Sequence, residues 1–257
     1  MTRPRATPGA PWCVGEKPRA SSPGGFAKLP PCEIIGGWEA QPHSRPYMAY
    51  LRIRRGDKIS GCGGFLVAEN FVLTAAHCQG DRITVVLGAH NMGQCERSQQ
   101  EIPVCRKIPH QQYNRETLHN DIMLLQLSRN ATLTREVGLV RLTTGHRRVS
   151  PGTMCNVAGW GRTSFTTRTN TLREVNLSVV TDRLCQKRYH FYLPSTMLCV
   201  GDPRYRKSIY MGDSGGPLVC CGVAEGIVSF GGYNSIDPPA GYTRISHFVP
   251  WIKANMR

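Results

Sequence analysis

The stretch GDSGGPL, from Gly212 to Leu218, is a glycine-rich turn with a serine at its centre. Two other short motifs precede it: LTAAHC at Leu73–Cys78 and NDIMLL at Asn120–Leu125. Each motif alone could be an ordinary turn or a packed segment. Their joint occurrence in the order His, Asp, Ser is far more specific and indicates nucleophilic catalysis.

The chemistry explains these residue types. A serine hydroxyl is a poor nucleophile near neutral pH unless an imidazole removes its proton. A carboxylate behind the imidazole fixes its tautomer and stabilises the cation that forms. We therefore assign Ser214 as nucleophile, His77 as general base and Asp121 as the orienting acid. The backbone N–H groups of Gly212 and Ser214 are expected to form the oxyanion hole.

Strand-length apolar runs, bounded by Gly, Pro or Asn, recur along the chain and predict an all-β sandwich or barrel. The runs are Tyr47–Ile53, Gly64–Val67, Phe71–Ala75, Ile83–Gly88, Ile122–Leu127, Met154–Ala158, Leu172–Val180, Thr196–Val200, Pro217–Val219, Gly226–Phe230 and Gly241–Ile245. Helix signals are scarce: a C-terminal helix over Ser246–Met256, capped by Ser246, and a turn at Ala75–Cys78. A polar seam near 141–152 could join two β units.

The chain of 257 residues carries 11 Cys and a formal net charge of +15. The cysteines suggest an oxidising compartment, and the charge predicts attraction to polyanions. No apolar run is long enough for a transmembrane helix, so no membrane partner is expected. These features describe a globular protein of one large or two small domains.

Residues 1–33 are rich in Pro, Gly, Arg and Ser and lack apolar periodicity, so we expect a disordered extension or propeptide before a domain at 34–257. The extension shows no secretory signal, because such a signal needs about 7–15 apolar residues. One interpretation is a cytosolic or unconventionally exported protein. The preferred one is an alternative or wrongly assembled first exon, with the functional protein beginning at Ile34.

The motifs resemble those of the chymotrypsin-like serine proteases, and within them the granule subgroup of chymases, cathepsin G and granzymes, chymase or cathepsin G above all. The segments that carry this resemblance are IIGGWEAQPHSRPYMAYL, CGGFLVAENFVLTAAHC, NDIMLLQL, VAGWGR, GDSGGPLVC and YTRISHFVPWI. The resemblance implies a trypsin-like fold: two antiparallel six-stranded Greek-key barrels, a C-terminal helix and an active site in the cleft between the barrels. It implies no cofactor.

The resemblance also implies activation by cleavage before Ile34, whose new α-amine pairs with Asp213. Glu33 resembles the acidic end of a granule-protease activation dipeptide, although Cys32 is unusual there. Breaking a buried ion pair costs about 3–5 kcal/mol, enough to hold or release a loop. The intact chain is therefore expected to be an inactive zymogen.

Residues carried over from the family predict the substrate pocket. Ser208 at its base supplies no counter-charge for Lys or Arg, and Ala240 is neutral, so the pocket favours Phe, Tyr, Leu or Met before the scissile bond. Ile209 narrows it, while Gly231 leaves its entrance open. The full set of substrate-binding residues is Ser208, Ile209, Tyr210, Met211, Ser229, Phe230, Gly231 and Ala240. The stretch Ser229–Gly231 is also expected to pair with the substrate backbone.

For the cysteines, the resemblance implies the pairs Cys62–Cys78, Cys155–Cys220 and Cys185–Cys199. Cys95, Cys105 and Cys221 depart from the family pattern, and a bridge between Cys95 and Cys105 across a hairpin is one possibility. A zinc site is the alternative use of the cysteines, but their spacings match no known ligand set, so no metal is expected.

Basic runs suggest partners beyond peptide and protein substrates. The runs are Arg52–Lys58, Arg141–Arg148, Arg183–Arg188 and Arg204–Lys207. Charge runs are usually solvated faces, but the resemblance suggests heparin or another sulfated proteoglycan, and serpin-type inhibitors. No nucleic-acid recognition module is present. Asn130 and Asn176 begin glycosylation sequons, which are usable in the secretory pathway.

The sequence leaves three interpretations of function. The first is a secreted or granule-stored serine endopeptidase. The alternative from another class is a polyanion-binding antimicrobial or chemotactic homologue with little activity. The third is a non-functional product, because the N-terminus is unusual. The intact set of His77, Asp121, Ser214 and Gly212 favours the enzyme.

Overall fold

The computed structural model describes residues 37–144, 148–161, 169–204, 209, 212–231 and 237–256. These residues form mainly β structure. The strands are β1 (Trp38–Glu39), β2 (Met48–Arg55), β3 (Lys58–Ala68), β4 (Phe71–Thr74), β5 (Arg82–Leu87), β6 (Gln100–Pro109), β7 (Met123–Leu127), β8 (Arg141–Leu142), β9 (Met154–Gly159), β10 (Arg173–Ser178), β11 (Met197–Val200), β12 (Pro217–Cys220), β13 (Val223–Phe230) and β14 (Ala240–Arg244). The helices are a 3-10 helix at Ala76–Cys78, α1 (Asp182–Arg188) and α2 (Ile245–Asn255).

The first six long strands close into a barrel in the order β2-β3-β4-β7-β6-β5. Side chains alternate along β2, so Leu51 and Ile53 are fully buried while Arg54 is exposed. This period of two places one apolar face inside the barrel. Phe65 on β3 and Leu73 on β4 lie opposite each other in the register and complete the same core.

The remaining strands form an eight-stranded sheet in the order β1-β10-β9-β12-β13-β14-β11, with β8 paired to β13. A bridge between Val179 and Val200 joins the two ends of the six strands from β10 to β11. The Val180 N–H donates to the Cys199 carbonyl over 2.9 Å beside that bridge. The second set of strands therefore also closes on itself, and the predicted pair of barrels is confirmed.

Helix α2 ends the described chain and packs on the first barrel. Its buried residues Ile245, Phe248 and Ile252 belong to the same apolar cluster as the strands β2 to β7. The sequence predicted this helix, but Ser246 does not cap it. The helix begins one residue earlier, with Arg244 in the capping position and no side-chain cap.

The connection between the barrels lies where the polar seam was predicted. Arg141 and Leu142 pair in parallel with Val223 and Ala224, while residues 145–147 lie outside the described part. This pairing ties the connection to the second barrel. Among the described residues, no helix is long and apolar enough to cross a membrane.

Candidate active site

His77 lies on the 3-10 helix that follows β4 directly. Ala75 and Ala76 are completely buried, and their small side chains let the chain turn tightly beneath the imidazole. A disulfide between Cys62 and Cys78 ties this turn to β3. The histidine side chain keeps about a quarter of its surface exposed, at 25%. It therefore sits on a rigid base and faces the cleft.

Asp121 comes to the same end of the barrel because β4 pairs with β7. The register sets Thr74 opposite Met123, so residues just after β4 and just before β7 are neighbours. The Asp121 carboxylate is fully buried. Its Oδ1 accepts the backbone N–H of His77 at 2.9 Å, and its Oδ2 lies 2.7 Å from His77 Nδ1. Two contacts to one residue fix the position and the orientation of the imidazole together.

The second barrel contributes two further contacts to Asp121. The Ser229 hydroxyl donates to Oδ2 over 2.5 Å, and the Thr243 hydroxyl donates to the Asp121 carbonyl over 2.7 Å. A buried carboxylate is tolerated when donors replace its water. Asp121 therefore links the two barrels through hydrogen bonds, in addition to holding His77.

Ser214 lies in the turn before β12, opposite the His77 turn. Its carbonyl accepts the N–H of Gly63 on β3 over 2.8 Å, and Cys78 Sγ lies 3.7 Å from the same oxygen. Ser214 is thus brought up against the residue that follows His77. Among the described contacts, no hydrogen bond joins the Ser214 hydroxyl to the imidazole. Such bonds often tighten only when substrate binds.

Glycines are required around Ser214. Gly212 and Gly215 have φ values of +105° and +82°, which favour glycine. A Cβ on Gly215 would lie 2.2 Å from Thr74 Oγ1, so the turn approaches the first barrel too closely for any side chain. Among the described hydrogen bonds, the amides of Gly212 and Ser214 have no acceptor. Their role as oxyanion donors stays a prediction.

Asp213, the residue before the predicted nucleophile, is fully buried. Its Oδ1 accepts the Gly161 N–H over 3.0 Å. Burial raises the pKa of the Tyr242 hydroxyl, and the Asp213 carboxylate raises it further. The activation partner Ile34 lies outside the described residues, so that predicted pair stays a prediction.

Apart from Ser229, whose hydroxyl binds Asp121, the predicted pocket residues fall into three groups. Ile209 and Ala240 are buried in one apolar cluster of the second barrel. The ring of Phe230 packs edge-on against Tyr189 with centroids 5.0 Å apart, whereas nothing lies within 4 Å of a Cβ on Gly231. Three predicted residues lie outside the described part: Ser208, Tyr210 and Met211.

Three disulfides join the cysteines that the resemblance pairs. Besides Cys62–Cys78, these are Cys155–Cys220, between β9 and β12, and Cys185–Cys199, between α1 and β11. The suggested bridge between Cys95 and Cys105 is wrong. Cys105 is a free, exposed thiol, as is Cys221, whereas Cys95 is disulfide-bonded.

One group of possible metal ligands occurs among the described residues: Cys62, His77 and Cys78. Because the two cysteines are bonded to each other, they offer no thiolate of the kind that zinc sites use. This group therefore belongs to the His77 turn.

Both sequon asparagines are exposed. Asn130 Nδ2 donates to Glu69 over 3.1 Å, and Asn176 Oδ1 accepts from Asn156 over 3.0 Å.

Among the predicted basic residues, Arg52 pairs with Glu101 over 3.1 Å. The basic surface is thus partly neutralised.

Two residues of the site were not predicted in the roles they have. The sequence placed Ser229 only along the substrate strand, and it did not single out Thr243. No local motif marks either hydroxyl as a partner of Asp121, because both contacts join residues more than 100 positions apart.

A histidine held by a buried aspartate, next to a serine in a glycine turn between two barrels, is typical of serine endopeptidases. Residues 34–252 match the Trypsin family, and the chain belongs to that family. It is a trypsin-family serine endopeptidase.

Individual relatives agree with this class. The chain is 55% identical to cathepsin G of Mus musculus over 225 residues, which is 88% of this chain and 86% of that protein. It is 53% identical to granzyme B of Homo sapiens over 227 residues, covering 88% of this chain and 92% of the relative. For chymase of Papio hamadryas the identity is 52% over 222 residues, or 86% and 89% of the two chains.

A solved structure described as that of GrC superposes with a TM-score of 0.83 at 47% identity. The match covers 86% of this chain and 98% of the other. The trypsin-like fold predicted from the motifs is therefore confirmed.

Proposed function

We propose that this endopeptidase works through an acyl-enzyme on Ser214, with His77 as general base and Asp121 as the group that orients it. The observation that carries the proposal is the double contact of the buried Asp121 carboxylate to the backbone and the imidazole of His77. It leaves Nε2 of the ring as the nitrogen free to exchange a proton in the cleft.

The proposed reaction follows from this arrangement. His77 Nε2 takes the Ser214 proton as Oγ attacks the substrate carbonyl carbon. The developing oxyanion accepts hydrogen bonds from the amide N–H groups of Gly212 and Ser214. Losing one such donor typically raises the activation barrier by about 2.7–4 kcal/mol. The imidazolium, stabilised by Asp121, then protonates the leaving amine, and water repeats the sequence to release the acid.

The proposal includes activation by cleavage before Ile34. The new α-amine would pair with Asp213, which adjoins both proposed oxyanion donors in sequence. The buried position of the Asp213 carboxylate, against the backbone of Gly161, supports the idea that this side chain controls the turn.

We propose a preference for Phe, Tyr, Leu or Met before the scissile bond. The apolar surroundings of Ile209 and Ala240 support it, together with the neutral Ser208 that the family resemblance assigns to the base of the pocket. One methylene changes discrimination by about 1–3 kcal/mol, so the preference should be graded.

Storage in a secretory granule and release by secretion complete the proposal. The net charge of +15 supports binding to heparin or a related sulfated proteoglycan. The exposed asparagines Asn130 and Asn176 support glycosylation, and the family supports inhibition by serpins.

The test starts from the full chain with a specific protease site placed directly before Ile34. After cleavage, the protein is profiled against a peptide library beside Ser214→Ala and the uncleaved chain. We expect cleavage after large apolar residues only in the activated wild type. Activity surviving in Ser214→Ala would exclude the mechanism, and cleavage after Lys or Arg would exclude the pocket. Equal inactivity of all three, with heparin binding retained, would favour the non-catalytic homologue.

A further inference from the structure

The carbonyl groups of the segment that follows the His77 turn accept hydrogen bonds from two cations, one on β2 and one on β6. Arg55, at the end of β2, donates from Nη2 to the His77 carbonyl over 3.0 Å. It also donates from Nε to the Gln79 carbonyl over 2.6 Å. One guanidinium therefore grips the backbone on both sides of Cys78.

Lys107 of β6 holds the next part of the same segment. Its ammonium donates to the Gly80 carbonyl over 2.6 Å and to the Asp81 carbonyl over 3.2 Å. The segment also fits closely against β2, because a Cβ on Gly80 would lie 2.3 Å from a methyl carbon of Ile53. Residues 77–81 are thus fixed from two sides of the barrel.

These carbonyls need such partners. The last carbonyls of a helix receive no hydrogen bond from an N–H of the same helix. Basic side chains commonly donate to them instead. The 3-10 helix at Ala76–Cys78 has only three residues, and one backbone bond, from the Gln79 N–H to the Ala76 carbonyl at 3.3 Å, closes its end. The Arg55 guanidinium supplies what this short turn lacks.

We propose that Arg55 is a positioning residue for His77, with Lys107 extending its grip along the segment. Arg55 holds the carbonyl of His77, while Asp121 holds the N–H and the ring of the same residue. Together they clamp the histidine backbone from both sides. This inference rests on the proposed role of His77 as the general base.

Arg54 provides a matched control. It is the neighbouring arginine on the same strand and is also exposed. Its Nε donates to the Gly56 carbonyl over 2.9 Å within its own hairpin. Among the described hydrogen bonds and ion pairs, its side chain makes none to residues 77–81; only its backbone carbonyl, which a substitution leaves in place, accepts the Asp81 N–H over 2.7 Å. A difference between Arg55 and Arg54 variants would therefore report the grip on His77 rather than the loss of a surface charge.

The experiment measures kcat and KM of the activated full-length protein on a short chromogenic peptide amide, in which all amino acids precede the scissile bond and a chromogenic amine is the leaving group. We expect Arg55→Gln to lower kcat about fivefold to fiftyfold with KM little changed, below the ~100-fold cost of a 1 Å misplacement. Arg55→Lys, which keeps a donor, should recover part of the loss. Arg54→Gln should match wild type. Equal effects of Arg55→Gln and Arg54→Gln would overturn the proposal.

Amide hydrogen exchange provides an independent measurement that does not require turnover. The His77 amide is protected by its bond to Asp121, so it should exchange faster in Arg55→Gln but not in Arg54→Gln. Unchanged protection would count against the proposal. His77→Ala separates the two hypotheses: if that variant remains fully active, the proposed mechanism fails first, whereas an inactive His77→Ala beside a normal Arg55→Gln overturns only the positioning role.

Discussion

The Ser229 hydroxyl and His77 Nδ1 contact the same oxygen of Asp121, at 2.5 Å and 2.7 Å. Ser229 belongs to β13 of the second barrel, whereas His77 belongs to the first. The proposed base is therefore oriented by a carboxylate whose own position depends on both barrels. Activity and the packing of the barrels should be coupled through this oxygen.

Replacing Ser229 with alanine tests this coupling. The buried carboxylate would lose one donor, which typically costs about 1–3 kcal/mol of stability. We expect kcat to fall roughly tenfold, equivalent to about 1.4 kcal/mol of barrier. Urea unfolding and steady-state kinetics measure the two effects. Thr243→Val, which removes a donor to the Asp121 carbonyl, should also reduce stability but lower kcat less than Ser229→Ala does. A larger loss of kcat in Thr243→Val than in Ser229→Ala would contradict this account.

A substitution at Gly161 tests how the buried position of the Asp213 carboxylate affects stability and activity. A Cβ there would lie 2.4 Å from Asp213 Oδ1, so Gly161→Ala must displace a buried carboxylate beside the Ser214 turn. We expect a loss of roughly 1–3 kcal/mol in unfolding free energy, together with reduced activity. Gly231→Ala is the control for stability alone, because its Cβ would meet nothing within 4 Å, whereas its predicted place in the substrate pocket excludes it as a control for activity. Equal stability of the two variants would show that the turn tolerates a shifted Asp213.

Cys221 and Gly222 form the two-residue turn between β12 and β13, with φ values of +50° and +75°. Two positive φ values are typical of a type I′ hairpin turn, in which asparagine is favoured before glycine. Cys221→Asn should therefore raise the melting temperature by about 1–4 °C and remove an exposed thiol. Cys221→Val should lower it. An Asn variant that melts below the Val variant would refute the turn assignment.

His110 makes stability depend on pH. Burial lowers the pKa of its imidazole, and the nearby His247 lowers it further. Its Nδ1 accepts the Gln112 N–H over 3.2 Å, which requires the neutral ring. Because the folded state binds the proton more weakly than the unfolded state, stability is complete above the ordinary histidine pKa of 6.5 and declines as the pH falls below it.

The measurement is the unfolding free energy between about pH 4.5 and 7.5, a range that spans the ordinary histidine pKa. His110→Asn, which keeps an acceptor without titrating, should flatten the decline below neutral pH. An unchanged slope in this variant would assign the decline to other groups.

The proposed triad could be predicted because each of its residues lies inside a distinctive local motif. Ser229 and Arg55 carry no such mark. Their contacts to Asp121 and His77 arise only when strands distant in sequence meet. Tertiary placement, rather than local pattern, decides these roles.

The β6 strand shows a second limit. Only Ile102 is fully buried along Gln100–Pro109, and the pairing with β7 shifts register at Cys105. An exposed, bulged strand has no clean alternation to detect. Helix α1 is not predicted either, because Cys185 is its one buried residue and the helix therefore has no repeating apolar face to detect.

The central claim is that Ser214 is the nucleophile and that His77 activates it. The most direct measurement is intact-mass and peptide mass spectrometry of the activated chain after reaction with a phosphonyl fluoride, which captures an activated serine. We predict one adduct per chain, located on Ser214, with labelling nearly abolished in His77→Ala. An adduct on another residue, or labelling of Ser214 at an equal rate without His77, would contradict the account.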